Sequence, residues 1–430
     1  MPRLPAAAQR IGAHRARAAP RPHPVAVRQP RVRDVLHRRP GVRGARSRLG
    51  ADPLSARDRR RDAGRTRRAR GAPAARGRGE GRAAAVSPAA VDLAVRIGSL
   101  ALRNPVVTAS GTFGYGDEYA HVVDLATIGA VITKTVTLEP RAGNQPARIA
   151  ETAGGMLNSI GLENVGLERF RREKLPKLAA LDATVIASLG GETPAELAAL
   201  LEALGREKAI GAFELNFSCP NVSKGGAIYW TDARRLERTL RQLKPLTRAP
   251  LIAKLSPDVT SIAELARACE QGGADAITAV NTFVGMALDL DAAGHRLNRS
   301  TGGLSGPAIK PLALARCHEA ARAVRIPVLG SGGIMSGRDA LEFIAVGATA
   351  VQVGTASFIR PRAAAEVVDG MRAFLAARGI RRIAEWRGRL MEPPATPARR
   401  APAARRAKPR NGRGASRTRC DGSGRSRARR

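Results

Sequence analysis

From residue 91 to residue 391 the chain alternates short apolar, β-branched runs with stretches of helical period. Eight runs predict strands: Val106–Ala109, Ala130–Lys134, Thr184–Leu189, Ala212–Asn216, Pro250–Leu255, Ala276–Val280, Pro327–Ser331 and Thr349–Val353. The helices between them carry explicit start and stop signals. Thr193 is an N-cap, Pro194 takes the first helical position and Glu196 completes a capping box. Leu197, Leu200, Leu201 and Leu204 then make one apolar stripe before Gly205 ends it. Ser261 with Glu264 repeats the device, and Gly272 stops that helix. Eight βα units in about 300 residues predict an α/β fold, a (β/α)8 TIM barrel, with a doubly wound Rossmann-type sheet as the alternative on alternation alone.

A barrel gathers its active site at the C-terminal ends of its strands. The residues there are Ser110, Lys134, Ser188, Asn216, Lys254, Asn281, Gly332 with Gly333, and Gly354 with Thr355. Chance would scatter hydrophobic side chains among them, so this polar and glycine set predicts one mouth lined for a ligand. The stretch ELNFSCPNV, from Glu214 to Val222, is the one around which the chemistry is expected. Phe213 and Leu215 alternate with Glu214 and Asn216 at strand spacing, and the chain then breaks into a polar loop with a thiol, Cys219, between the carboxamides of Asn216 and Asn221. Amides hold a polar ring by paired donors and acceptors, and a thiol beside them can move a proton.

GSGGI after the seventh strand and VGTASF after the eighth bring glycines to adjacent strand ends, where backbone N–H groups approach an anion. Turns also need glycine, so it is the two pairs together that point to a phosphorylated cofactor. Lys134 and Lys254 follow apolar strand residues that direct them into the mouth, which favours fixed cations near a flavin over merely ion-paired groups. Two long excursions, Thr137 to Asn164 and Phe283 to Gly306, predict binding lids or rims. Asn158, Asn164, Asn281 and Thr282 are expected to bring further polar groups to the same opening, a set suited to a planar lactam or imide.

Charge changes the picture of the ends rather than of the core. The 430-residue chain has a net charge of +37, but residues 1–90 hold 24 Arg, no Lys and 5 acidic residues, net +19, and residues 392–430 add +11. The remaining +7 is ordinary, so the basic character belongs to the tails. These are Arg, Ala, Pro and Gly with little to bury, and they predict disordered extensions at 1–90 and 392–430 around a catalytic domain at 91–391. A basic arm for nucleic acid or anionic membrane is the alternative, but aromatic interleaving and helical period are both missing. No apolar run reaches the ~18 residues of a membrane span. Cys219, Cys269, Cys317 and Cys420 show no paired or metal-type spacing, and the six histidines are scattered, so a reducing cytoplasm and no metal are expected.

The motifs themselves resemble a known family. NPVVTASGTFG, KTVTLEPRAGN, ETAGGMLNSIGLEN, ELNFSCPNV, VNT, NRSTGGLSGPAIKP, GSGGI and VGTA look like the class 1 dihydroorotate dehydrogenases, in the same order and at similar spacing, over essentially all of residues 91–391. GGMLNSIGLEN and LEPRAGN look more like the NAD-linked branch, whose catalytic subunit works with a second subunit carrying FAD and a [2Fe–2S] cluster. The resemblance implies an FMN with its phosphate on Gly332, Gly333, Gly354 and Thr355, and with Ser110, Thr135, Lys254, Val280 and Gly306 around its ring and ribityl chain. It implies Lys134 between flavin and substrate. Asn158, Asn216, Asn221, Asn281 and Thr282 would hold the orotate ring, with backbone groups of Ser159, Ile160, Gly161 and Leu162 near its carboxylate. Cys219 takes the position of the family's catalytic base, whereas Ser188 stands where an asparagine touching the flavin is expected. A homodimer flanked by two electron-transfer subunits is implied as well.

On that reading, dihydroorotate loses a proton from C5 to the Cys219 thiolate and a hydride from C6 to the flavin. A free thiol has a pKa of about 8.5, so a modestly electropositive setting leaves useful thiolate near neutrality. A related barrel acting on uracil or thymine would share the cysteine loop and the flavin. A nucleic-acid binder working through the tails is the alternative from another class.

Overall fold

The computed structural model describes residues 86–218 and 230–391. Both predicted tails lie outside the described residues, apart from a short 3-10 turn at Pro88–Ala90.

All eight predicted barrel strands form, each within two residues of its expected ends. With two short strands of an N-terminal hairpin counted first, they are β3 (Val106–Thr108), β4 (Val131–Ile132), β7 (Val185–Leu189), β8 (Ala212–Asn216), β9 (Leu251–Lys254), β10 (Ala276–Ala279), β15 (Val328–Ser331) and β16 (Ala350–Val353). They pair in parallel in the order β3-β16-β15-β10-β9-β8-β7-β4. A parallel bridge between Val107 and Ala130 joins the two ends, so the sheet closes. Closure settles the choice between barrel and open sheet.

Alternation along the strands divides the barrel radially. Val106, Val131, Phe213, Leu215 and Ile277 face outward and pack with the helix stripes, among them Leu197, Leu200, Leu201 and Leu204. That last helix runs Pro194–Leu204, and the Thr193 hydroxyl accepts from the Glu196 N–H at 3.3 Å as its sequence predicts. The Glu196 carboxylate, however, accepts from Glu192 N–H at 2.7 Å, one residue before the cap. The helix Ile262–Gln271 is capped by Ser261 and stopped at Gly272, as expected.

The inward positions form two tiers. The lower is apolar, with Val107, Ile132, Ile186, Ile252 and Leu329 in one cluster. The hairpin of β1 (Val95–Ile97) and β2 (Leu100–Leu102) adds Ile97 and Leu102 to it and plugs that end. Two residues further along the strands the interior turns polar, with Ser188, Glu214, Lys254, Thr278, Ser331 and Gln352 all buried. The polar tier lies toward the strands' C-terminal ends.

The two predicted excursions meet in a four-stranded antiparallel sheet of order β11-β14-β6-β5, from β5 (Ile149–Thr152), β6 (Gly155–Asn158), β11 (Phe283–Gly285) and β14 (Gly302–Ser305). A small hairpin, β12 (Leu288–Asp289) with β13 (Gly294–His295), extends from the second excursion. The rims are therefore one folded unit rather than independent loops.

Candidate active site

A cleft of about 1370 Å³, counted out to its open mouth, lies at the C-terminal end of the barrel beside the excursion sheet. Its walls include the side chains or backbone of Ser110, Lys134, Thr135, Ser188, Asn216, Lys254, Val280, Asn281 and Thr282. Gly306, Gly332, Gly333, Gly354 and Thr355 also line it, with Asn158, Ile160, Gly161 and Leu162 from the first excursion. Cys219 and Asn221 lie outside the described residues.

At one pole of the cleft the glycines have a steric reason. Gly333 has φ +72°, and a Cβ there would stand 2.7 Å from Lys310 N; Gly332 has φ +130°, and its Cβ would stand 2.6 Å from the Ala313 Cβ. Left-handed backbone and crowding from behind both require glycine, which leaves main chain facing the cleft. The Thr355 hydroxyl donates to Ser305 Oγ at 2.9 Å at the same pole. Such a cradle fits a phosphate group.

Along the barrel wall, hydroxyls form a chain. Ser110 Oγ donates to Thr133 O at 2.9 Å and lies 3.1 Å from Thr135 Oγ1, which lies 2.9 Å from Ser188 Oγ. Ser188, which replaces an expected asparagine, is wholly buried in this chain.

The amide groups divide into those free to bind and those already used. Asn216 Oδ1 accepts from Ser218 N–H at 3.3 Å and Ser218 Oγ at 2.9 Å, and Ser218 Oγ in turn accepts from Asn281 Nδ2 at 2.7 Å. This arrangement braces two carboxamides and, among the described residues, leaves Asn216 Nδ2 without a protein partner. Asn158 Nδ2 donates to Gly303 O at 3.2 Å, which leaves its Oδ1 for a ligand donor.

Asn164 corrects the expectation that it reaches the mouth. Its Nδ2 donates to Thr137 Oγ1 and Leu162 O, both at 2.8 Å, and its Oδ1 accepts from Thr137 N–H at 3.2 Å and Gly166 N–H at 2.9 Å. With its hydrogen-bonding groups spent on the base of the excursion, it holds the loop and does not line the cleft. Ser159 is a second correction. Its N–H bonds Arg148 O at 2.7 Å, and its carbonyl and hydroxyl accept from Asn144 Nδ2 at 3.0 and 2.9 Å. It is buried behind the wall that Ile160, Gly161 and Leu162 present.

Both lysines line the cleft, and both are also ion-paired, against expectation. Lys134 Nζ is 3.9 Å from Glu163, which Arg148 shares at 2.9 Å. Lys254 Nζ is 3.4 Å from Glu214 and donates to Gln352 Oε1 at 2.9 Å. Strand alternation could have marked Glu214 and Gln352 as inward-facing, but not as partners across the barrel. The apolar wall of Ile149, Met156, Ile309, Met335 and Phe358 was also missed, because it comes from the excursion and from the segments after strand ends.

Comparisons with known proteins agree with this geometry. The family model for dihydroorotate dehydrogenase matches residues 92–375. A protein of Trichlorobacter lovleyi named dihydroorotate dehydrogenase B (NAD(+)), catalytic subunit, is 53% identical over 298 residues, covering 69% of this chain and 98% of that protein. The Geobacter sulfurreducens protein of the same name is 50% identical over 299 residues, covering 70% of this chain and 98% of the relative. Among solved structures, that of the Eimeria tenella DHODH in complex with ferulenol superposes with a TM-score of 0.59 at 22% identity, covering 69% of this chain and 88% of that one, and supports the fold.

Proposed function

The chain belongs to the dihydroorotate dehydrogenase family, and from that premise we propose that it is the catalytic subunit of an NAD-linked enzyme oxidising (S)-dihydroorotate to orotate in pyrimidine biosynthesis. The observation that carries this reading is the joining, in one cleft, of a glycine cradle, a hydroxyl-lined wall and braced carboxamides.

FMN is the cofactor we assign. Gly332, Gly333, Gly354 and Thr355 would hold its phosphate, with Ser110, Thr135, Ser188, Lys254, Val280 and Gly306 along its length, a reading supported by their shared cleft. When bound, the flavin supplies the hydride acceptor for C6 of dihydroorotate. Asn158, Asn216, Asn281 and Thr282 would orient the pyrimidine ring through unspent amide and hydroxyl groups, with Asn221 from the loop beyond them. Ile160, Gly161 and Leu162 would border its carboxylate. Lys134, drawn toward the Glu163 carboxylate that it shares with Arg148 at the rim, would bridge substrate and cofactor sides. Cys219, one residue past the Ser218 that braces Asn216 and Asn281, would take the C5 proton as thiolate.

The relatives' name, catalytic subunit, supports a separate partner, which we assign as an FAD and [2Fe–2S] protein passing electrons to NAD around a homodimeric core. No helix among the described residues is long and apolar enough to cross a membrane, which is compatible with the cytoplasmic location we assign.

Cys219→Ala in the full chain tests the chemistry. It should keep the bound flavin, identified as FMN by mass after release, and lose most turnover at neutral pH. Dihydroorotate oxidation at the parental rate would remove Cys219 from the role of base.

A further inference from the structure

The polar tier inside the barrel contains a carboxylate that the reaction does not use. Glu214 is 0% exposed and does not line the cleft, whereas its partners Lys254 and Gln352 do. Its Oε1 faces Lys254 Nζ, and its Oε2 accepts from Thr278 Oγ1 at 2.9 Å and from Gln352 Nε2. Gln352 Nε2 also donates to Thr278 Oγ1 at 3.1 Å, and Gln352 Oε1 accepts from Lys254 Nζ at 2.9 Å. Every polar atom of the Gln352 amide is thereby fixed, and the neighbouring strands β8, β9 and β10 are tied at one point to β16, which is not hydrogen-bonded to any of them in the sheet.

A buried carboxylate is costly unless its partners satisfy it, and a buried ammonium is costly without a counter-charge. Lys254 is 5% exposed, and among the described residues Glu214 is its one recorded anionic partner. Glu214 is screened from the cleft by the side chains it holds, so anything it does to a ligand passes through them. We propose that Glu214 is a positioning residue that holds the Lys254 ammonium aimed into the cleft, so that Lys254 favours the reduced, more negative form of the cofactor. This rests on the FMN reading above. A fixed cation stabilises charge gained at a flavin's pyrimidine edge, and it keeps that effect only while charge and position are maintained.

The test is the two-electron potential of the flavin bound to the full chain, measured against a reference dye during slow reduction. Absorbance of the unmodified protein is read first, and a purified chain without flavin defeats the cofactor reading rather than this inference. Glu214→Gln keeps the size and removes the charge. It should shift the oxidised-to-reduced equilibrium at least tenfold toward the oxidised form, about 30 mV for a two-electron couple. In a Lys254→Met background the same change should shift it by less than twofold, because the residue through which Glu214 acts is gone. An unchanged or raised potential in Glu214→Gln, or a full shift in the Lys254→Met background, overturns the proposal. Should the glutamine variant fail to fold, Glu214→Asp keeps the charge and withdraws it by one methylene. A shift of about threefold in the same direction is expected from it, and a parental potential overturns the proposal.

Discussion

Asn164→Ala tests whether the first excursion is held in place by one buried side chain. The carboxamide makes four hydrogen bonds, and three of its partners are main-chain groups: the N–H of Thr137, the N–H of Gly166 and the carbonyl of Leu162. The fourth is the Thr137 hydroxyl, which already donates to Glu139 O at 2.6 Å and so can only accept from Asn164. At about 1 kcal/mol net per bond, the truncation costs roughly 4 kcal/mol. The barrel strands do not depend on Asn164, so the cost falls on the segment that carries Asn158, Ile160, Gly161 and Leu162 into the cleft. Orotate affinity, followed as a perturbation of the flavin spectrum, should weaken ten- to a hundredfold, with each tenfold worth about 1.4 kcal/mol. Flavin content should stay near the parental level, because the glycine cradle lies on other strand ends. Asn164→Asp should not rescue binding, since it has no donor for the Leu162 carbonyl. Parental orotate affinity in Asn164→Ala, together with a stability loss below about 1 kcal/mol in denaturant, would refute the reasoning.

Three further outcomes follow. Gly333→Ala would force a Cβ to 2.7 Å from Lys310 N at φ +72°, so the purified variant should hold at most a tenth of the parental flavin, read from absorbance per protein. Burial pushes the Cys317 thiol up to about 12 and raises Cys269 further, so neither should react with a thiol reagent at pH 8 until denaturant is added. Burial works to raise the Glu118 carboxyl, but hydrogen bonds from its own N–H, the Lys174 ammonium and Tyr115 N–H help to outweigh it, and it is held at about 2. A depressed acid stabilises the fold above its unfolded value of 4.5 and loses that contribution as pH falls through about 2, so the Tm of Glu118→Gln should depend less on pH in that window than the parent's.

The barrel was legible because its signals are local. Caps such as Thr193 and Ser261 and runs such as Val185–Leu189 are each complete within a dozen or so residues, whereas closure is shown by the bridge between Val107 and Ala130. Pairings between distant segments were not legible. Asn158 meets Gly303 across 145 positions and Glu214 meets Gln352 across 138, and periodicity carries no information about which inward residue faces which. The same limit explains Asn164 and Ser159: polar loop residues look alike in sequence whether they are spent on neighbouring backbone or left for a ligand. The hairpin at Val95–Leu102 was missed because strands of three residues are too short to show alternation.

The most direct measurement is anaerobic addition of one equivalent of dihydroorotate to the purified full-length flavoprotein. Loss of the oxidised flavin absorbance with formation of one equivalent of orotate, and no such loss with dihydrouracil, is the predicted result. A flavin that stays oxidised with dihydroorotate, or that dihydrouracil bleaches equally well, would contradict it.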